Sequence, residues 1–291
     1  MATLCSLAQQ DEFGSWILPN YTDVNRLDFP SLQVTGVDPG SYYLDPFVNS
    51  AGAFSNSGEL LFYTLAEKVY DANNAYIDDF TAPPYMMLHP EVEIIRKPLH
   101  QNEFFIIWTG YDYSENDEGY LYYTEVHVNP STLEITVLQP VFVESTGSMT
   151  GIALTEEENG SRQLYFVSSV KGMCVAEVTD QGVSTNYNEI INKYDSVFQS
   201  YRNFSGYNLE LMETATGVIN LAWITLNPMG AVPGYKKIFY AEYDEPNVVA
   251  KQVYTLDSFV ERMSGIEFSP ADENTLYFSG DHSSTGGVYS L

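Results

Sequence analysis

The chain has 291 residues, 44% of them hydrophobic and only 18% charged, with 23 Tyr and 16 Phe. That apolar supply is enough to bury a core and excludes an intrinsically disordered or collagen-like chain. Twelve Lys and Arg face 39 Asp and Glu, a formal net charge of −27, and a surface this acidic repels phosphate backbones and anionic lipid heads, which makes nucleic acid and membrane surfaces poor partners.

The chain opens with an apolar, small-residue run from Met1 to Ala8, followed by Gln9-Gln10-Asp11-Glu12. This reads as the end of a secretory signal with Ser6 and Ala8 in the small positions before a cleavage point, or else as an apolar N-terminal tail over residues 1–10. Residues 11–291 are expected to form one domain, a monomeric ring that is secreted or displayed at the cell surface. No run approaches the roughly 18 apolar residues of a membrane span. Cys5 and Cys174 are the two cysteines, too few for a disulfide scaffold, so core burial must carry stability. Cys174, in the strand-like stretch from Lys171 to Glu177, reads as a small buried hydrophobe.

Helix-period segments are scarce, and short runs rich in Val, Ile, Tyr and Phe recur between Gly, Pro, Asn and Asp, so the chain is predicted to be all-β. One unit repeats: a short strand, a polar turn, then an aromatic-rich strand. It appears as Gly52–Ser55 with Leu60–Thr64 and as Glu93–Arg96 with Glu103–Trp108. It returns as Gly151–Thr155 with Leu164–Ser168, as Asn208–Met212 with Ile219–Ile224, and as Gly265–Ser269 with Leu276–Ser279. The starts at Ile94, Gly151, Asn208 and Gly265 are each 57 residues apart. Further strand candidates follow within a unit, such as Gly119–Val128 and Glu134–Leu138, or Lys237–Tyr243 and Val248–Tyr254. Four antiparallel strands per repeat, none able to bury its own faces, predict a β-propeller with five recognisable blades and room for five to seven. Gly52, Gly151 and Gly265 suit first strands that crowd a central channel. The last unit ends three strands in, at Gly287–Leu291, and Ser31–Val37 is expected to supply its fourth strand and close the ring. Glu189–Phe198 is expected to form a short helix in a loop.

Asn56-Ser-Gly-Glu-Leu-Leu-Phe-Tyr-Thr64 with Val69-Tyr-Asp-Ala-Asn73, Glu93-Ile-Ile-Arg-Lys-Pro98 with its aromatic strand, and Gly265-Ile-Glu-Phe-Ser-Pro270 with Leu276-Tyr-Phe278 resemble blades of the N-terminal, WD-repeat-like propellers of gliding-motility-associated and type IX secretion cargo proteins. The resemblance covers residues 45 to 280 loosely. It departs where Leu65-Ala66 replaces an expected Gly and Tyr70 an expected Trp. It implies a secreted or surface-exposed propeller and carries no catalytic set.

The sequence lacks a phosphate-cradling Gly loop, a Gly-x-Ser-x-Gly elbow, a His-Glu-x-x-His helix and a Cys-x-x-Cys pair. His89, His100, His127 and His282 are isolated and read as exposed or singly bonded residues. The loop from Tyr111 to Gly119 concentrates Asp112, Glu115, Asp117 and Glu118, an oxygen-rich set that can hold calcium through Asp112, Glu115 and Asp117, although it misses the EF-hand pattern and reads equally as a solvated acidic turn. Glu156–Gly160 reads as a soluble hairpin tip. Most tyrosines are expected between blades, leaving Tyr111, Tyr113 and Tyr201 in loops for ligand contact. The leading functional expectation is a non-enzymatic binding or scaffolding module for a protein or glycan, with no cofactor other than calcium. The alternative is an extracellular carbohydrate hydrolase or lyase whose channel carboxylates include Glu210 and Glu267, on first strands. A third reading is a structural ring within a larger secreted protein.

Overall fold

The computed structural model describes residues 15–19, 24–28, 33–37, 50–81, 91–112, 118–147, 150–198, 206–225, 237–255, 262–269, 275–282 and 285–290. Among them there is no helix; the chain forms twenty-three strands in six antiparallel sheets. The first sheet holds β1 (Ser15–Pro19), β2 (Val24–Asp28) and β3 (Gln33–Val37). The second holds β4 (Ser50–Phe54), β5 (Leu60–Leu65), β6 (Lys68–Asp71) and β7 (Tyr76–Asp79). The third holds β8 (Val92–Arg96), β9 (Glu103–Asp112), β10 (Glu118–Val128), β11 (Ile135–Val137) and β12 (Val141–Ser145), with both β11 and β12 paired to β10. The fourth holds β13 (Ile152–Leu154), β14 (Arg162–Ser168), β15 (Gly172–Thr179) and β16 (Gly182–Asn192). The fifth holds β17 (Gly206–Glu213), β18 (Ile219–Thr225), β19 (Lys237–Asp244) and β20 (Asn247–Thr255), and the sixth β21 (Arg262–Phe268), β22 (Leu276–His282) and β23 (Thr285–Ser290).

Every hairpin predicted from the repeat is present: its two strands are β4–β5, β8–β9, β13–β14, β17–β18 and β21–β22. The first strand of each sheet lies against the first strand of the next, in the order β1, β4, β8, β13, β17, β21. These are the blades of a β-propeller, with the first strands turned toward a common axis.

From the second sheet to the sixth, blades pack face to face through one apolar cluster at each contact. Phe62, Val69 and Phe80 of the second sheet meet Phe104, Ile106 and Trp108 of the third. Phe105, Ile107 and Leu121 meet Leu164, Phe166 and Cys174 of the fourth. Tyr165, Val167 and Met173 meet Leu221, Trp223 and Phe239 of the fifth, and Ala222 and Ile238 meet Ile266 and Phe278 of the sixth. Both faces of a central strand are therefore buried, which is why β5, β9, β14 and β18 read as continuous apolar runs. Trp108 is fully buried, stacks on Tyr122 at 4.6 Å and donates its indole N–H to Thr124 Oγ1 at 3.1 Å, so its one polar atom is satisfied inside the core.

Gly151 is where the predicted crowding is tightest. A Cβ there would lie 2.7 Å from Leu209 Cβ and 2.9 Å from Leu209 N, so only glycine lets β13 approach β17 this closely.

Two expectations are corrected. Glu189–Asn192 continue β16, paired to β15, and Lys193–Phe198 turn without a helix. Ile191 is buried against the fifth sheet, and the Asp195 carboxylate accepts from Val197 N at 2.9 Å, a local bond that competes with helix formation. The stretch Ser31–Val37 supplies β3, which pairs with β2 in a sheet of its own; ring closure by this strand is not shown, because Val24–Asp28 is an antiparallel partner close by in sequence. The segment 1–10 lies outside the described residues, and no helix of the described residues is long and apolar enough to cross a membrane.

Candidate functional site

Four glutamates meet along the first strands. Glu93 stands on β8, Glu210 on β17 and Glu267 on β21, and Glu91 immediately precedes β8. β8 and β17 are separated by β13, and β8 and β21 by two strands, yet Glu93 feels the charges of Glu91 and Glu267, and Glu210 those of Glu267, Glu93 and Glu91. Glu93 and Glu267, or Glu93 and Glu210, stand on non-adjacent blades and repel one another only because they face a shared space, here the channel.

Burial is the larger cause of their perturbation. Desolvation lifts Glu93 and Glu210 well above the usual carboxylate range, with like-charge repulsion adding to it. Glu267 rises to about 7 from 4.5 through burial. Glu91 rises to about 8 for the same reason, held back by backbone N–H groups that donate to its carboxylate. Arg162, on β14, opposes the rise at Glu93; its Nη1 donates to the Thr155 carbonyl at 3.0 Å and lies 3.8 Å from the Glu156 carboxylate. A set of this kind keeps some carboxyls protonated at neutral pH beside others that ionise, the condition for acid and base to work side by side.

Local backbone irregularity decides which way two of these side chains point. On β17, Tyr207 pairs with Ile224 and Glu210 with Ala222, so the strand carries one extra residue there. On β21, Met263 pairs with Gly280 and Gly265 with Ser279, again one extra residue before the glutamate. An extra residue reverses the face taken by everything beyond it, and such bulges re-aim side chains next to functional sites. Glu210 and Glu267 are each two residues past their repeat starts at Asn208 and Gly265, so the repeat itself puts them at one level of the channel. Ala153 holds that position in β13.

Two spaces adjoin the cluster. A cavity of about 40 Å³ is lined by Glu93, Glu210, Arg162 and residues of β13 and β17 such as Ala153 and Leu209, room for a water-sized reactant. A groove of about 520 Å³ between the fourth and fifth blades is lined by Arg162, Tyr165, Tyr243, Glu213 and the hairpin tip Glu156–Asn159, within the size range of small-molecule sites. Arg162 borders both.

Of the sequence-predicted site residues, Tyr111 and Asp112 end β9, while Tyr113, Glu115, Asp117 and Tyr201 lie outside the described residues, as does His89. Tyr122 is buried between blades, as expected for packing. His127 Nε2 lies 2.8 Å from Glu125 and His100 Nδ1 3.0 Å from Glu103. Glu103, Glu125 and His127 are close enough to share a cation, but Lys97 Nζ, 2.8 Å from Glu103 and 2.5 Å from Glu125, already supplies one. Glu91, Glu93 and Arg162 escaped the sequence reading. The one signal for Glu93 was its place at the head of a repeated first strand.

No family model and no curated protein matches this chain. Solved structures do. An α-L-arabinanase from Penicillium chrysogenum, solved with arabinobiose, is 11% identical over 87% of this chain and 80% of its own, with a TM-score of 0.53. A thermostable family-43 glycoside hydrolase is 10% identical over 84% and 88%, with a TM-score of 0.44. A xylan β-1,4-xylosidase from Bacillus halodurans is 10% identical over 99% of this chain and 53% of its own, at 0.46. The first of these likenesses carries the fold: the chain is a β-propeller of the architecture that glycoside hydrolases use. The resemblance to gliding-motility-associated cargo propellers holds for the propeller and no further. The expectation of a non-enzymatic binding or scaffolding module is overturned: several of the solved structures similar to this chain, the arabinanase among them, are glycoside hydrolases, which accords with the alternative reading.

Proposed function

We propose that the protein is a propeller hydrolase of neutral oligosaccharides. The observation that carries the reading is the convergence of Glu93, Glu210 and Glu267 from three blades on one channel, with their acidities moved from the solvent value by burial, and for Glu93 and Glu210 by like-charge repulsion as well. Glu210, the more deeply buried of the two candidate carboxyls, holds its proton at neutral pH and donates it to the leaving glycosidic oxygen as the C–O bond breaks. Glu267, which ionises near neutrality, takes the proton of the water that attacks the anomeric carbon. Arg162 partly offsets the rise at Glu93. The groove beyond Arg162 offers Tyr165 and Tyr243 at its wall and carboxylates at Glu156, Glu157, Glu158, Glu213 and Glu245, so it suits uncharged sugars and repels uronic acids and sulfated glycans. The similarity to an arabinanase makes arabinan the first substrate to try. Secretion fits a polysaccharide substrate and the N-terminal run, and calcium at Asp112, Glu115 and Asp117 remains a separate proposal.

Reducing-end release is measured from arabino-, xylo- and galacto-oligosaccharides with the wild type, Glu210→Gln and Glu267→Gln. Hydrolysis of at least one neutral glycan is expected, reduced at least 100-fold in each variant, since one acid or base group contributes about 10²–10⁴. Wild-type activity in both variants, or tight glycan binding with no turnover, refutes the reading.

A further inference from the structure

Glu91 lines neither the small cavity nor the groove, yet its carboxylate is held by backbone N–H groups from two other blades. Its backbone is fixed to β9, with Glu91 N donating to Thr109 Oγ1 at 3.0 Å and Thr109 N donating to the Glu91 carbonyl at 3.0 Å. Its side chain then reaches across two blades. Oε2 accepts from Ile152 N at 2.6 Å, at the start of β13, and Oε1 accepts from Asn208 N on β17, with Leu209 N as a further donor. Asn208 has φ of +53°, a left-handed conformation that few non-glycine residues adopt without support. Successive N–H groups around a left-handed residue form a concave anion seat, and the Glu91 carboxylate occupies it.

The same two residues, Asn208 and Leu209, make up the irregularity of β17 that lies between the pairs Tyr207–Ile224 and Glu210–Ala222. Removing the extra residue from the register would turn Glu210 to the opposite face of its blade. We propose that Glu91 is a positioning residue: its carboxylate, seated on the Asn208–Leu209 bulge, holds the backbone turn that aims Glu210 into the channel. The proposal rests on the hydrolase reading for its kinetic test alone. A purely structural clasp between blades would loosen the molecule without altering what Glu210 does.

The test uses the full chain carrying Glu91→Gln, Asn208→Val, or Glu91→Gln with Asn208→Gly. Glutamine keeps the volume but presents N–H groups to one of the two donor sites. Valine leaves Glu91 in place and disfavours a positive φ. Glycine adopts that φ freely and should hold the bulge without the carboxylate. With arabino-oligosaccharide as probe, Glu91→Gln is expected to lower kcat about 10- to 100-fold at nearly constant KM, since misplacement of a reacting group by about 1 Å costs on that order. Asn208→Gly in the same chain should restore most of the loss, and Asn208→Val should reproduce it. The groups facing Glu210 are Glu91, Glu93 and Glu267 with Arg162 beyond, so the pH profile of kcat should shift in Asn208→Val, where none of those charges has changed. A folded Glu91→Gln variant with wild-type kcat, or a loss that glycine does not relieve, overturns the proposal. If Glu91→Gln does not fold, Asn208→Val decides alone, wild-type kcat overturning it. If the wild type hydrolyses no glycan, the hydrolase reading falls and Glu91 is judged by the carboxyl titration of Glu210 in ¹³C NMR, assigned against Glu210→Gln: a shift in Asn208→Val supports the proposal and an unmoved titration overturns it.

Discussion

The channel carboxylates make stability depend on pH in an unusual direction. Glu267 ionises at about 7 in the folded chain against 4.5 for an unperturbed glutamate, and Glu91 at about 8. Because the folded-state value is raised, the stabilisation is complete below about 4.5 and is lost as the pH climbs through the folded value: between those limits the folded chain binds more protons than the unfolded one, and raising the pH favours unfolding. At about 1.4 kcal/mol per pH unit of displacement, Glu267 alone accounts for roughly 3 kcal/mol of stability present at pH 4.5 and gone above pH 7. That is a large share of the ~5–15 kcal/mol a domain possesses. The net charge of −27 pushes in the same direction, so the comparison that isolates the channel is wild type against Glu267→Gln. Urea unfolding followed by tryptophan fluorescence, with Trp108 and Trp223 fully buried in separate blades, gives ΔG at pH 5, 6, 7 and 8. The wild type should lose stability steadily across this range, and Glu267→Gln should lose about 2.5 kcal/mol less. Parallel curves for the two proteins, or a wild-type stability that rises toward pH 8, refute the reasoning.

Other outcomes follow from the packing. Cys174 is fully buried and its thiol is pushed up to about 12 by desolvation, so in a Cys5→Ser background it should be inert to a disulfide-exchange reagent at pH 8 until denaturant unfolds the chain. Gly151→Ala should cost about 1–3 kcal/mol, because the new Cβ meets the Leu209 backbone rather than a movable side-chain end; differential scanning calorimetry reads the lowered Tm. Trp223→Ala should cost about 3–5 kcal/mol, since the indole packs against Phe198 and Phe239 at 5.4 Å in each case. Lys97→Met should weaken the fold by about 1–3 kcal/mol by leaving Glu103 and Glu125 side by side without their ammonium partner; the loss should shrink at low pH, where Glu103, held below the usual range mainly by Lys97, finally takes a proton.

The blades were legible because their signal is local. An aromatic strand buried on both faces must be written as a run such as Phe104–Trp108, and a polar turn must separate it from its partner, so the repeat declares itself by composition. The N-terminal sheet was less readable: Val24-Asn-Arg-Leu-Asp28 shows no apolar alternation, and pairing with Gln33–Val37 was invisible beside the attraction of a ring-closing role. Glu189–Phe198 looked helical because Ile190, Ile191 and Phe198 fall at helical spacing, whereas the register with β15 decides the matter through contacts far away in sequence. The site was half legible. Glu210 and Glu267 could be named because the repeat aligns them, but their inward orientation depends on one extra residue in each strand, which no composition records. Glu91 is separated from the amides it binds by 61 residues to Ile152 and 117 to Asn208, so its bonds follow from the packing of blades on one another and from nothing local.

The central claim is that glutamates from separate blades share one desolvated channel, and carboxyl titration reads it without any substrate. In ¹³C NMR of the native protein labelled at glutamate side chains, the resonance lost in Glu267→Gln should titrate near pH 7 and that lost in Glu210→Gln well above the usual carboxylate range, and both should return to about 4.3 in urea, the value of an exposed glutamate. If every glutamate of the folded protein titrates below pH 5, the carboxylates do not meet, and both the hydrolase reading and the role given to Glu91 are contradicted.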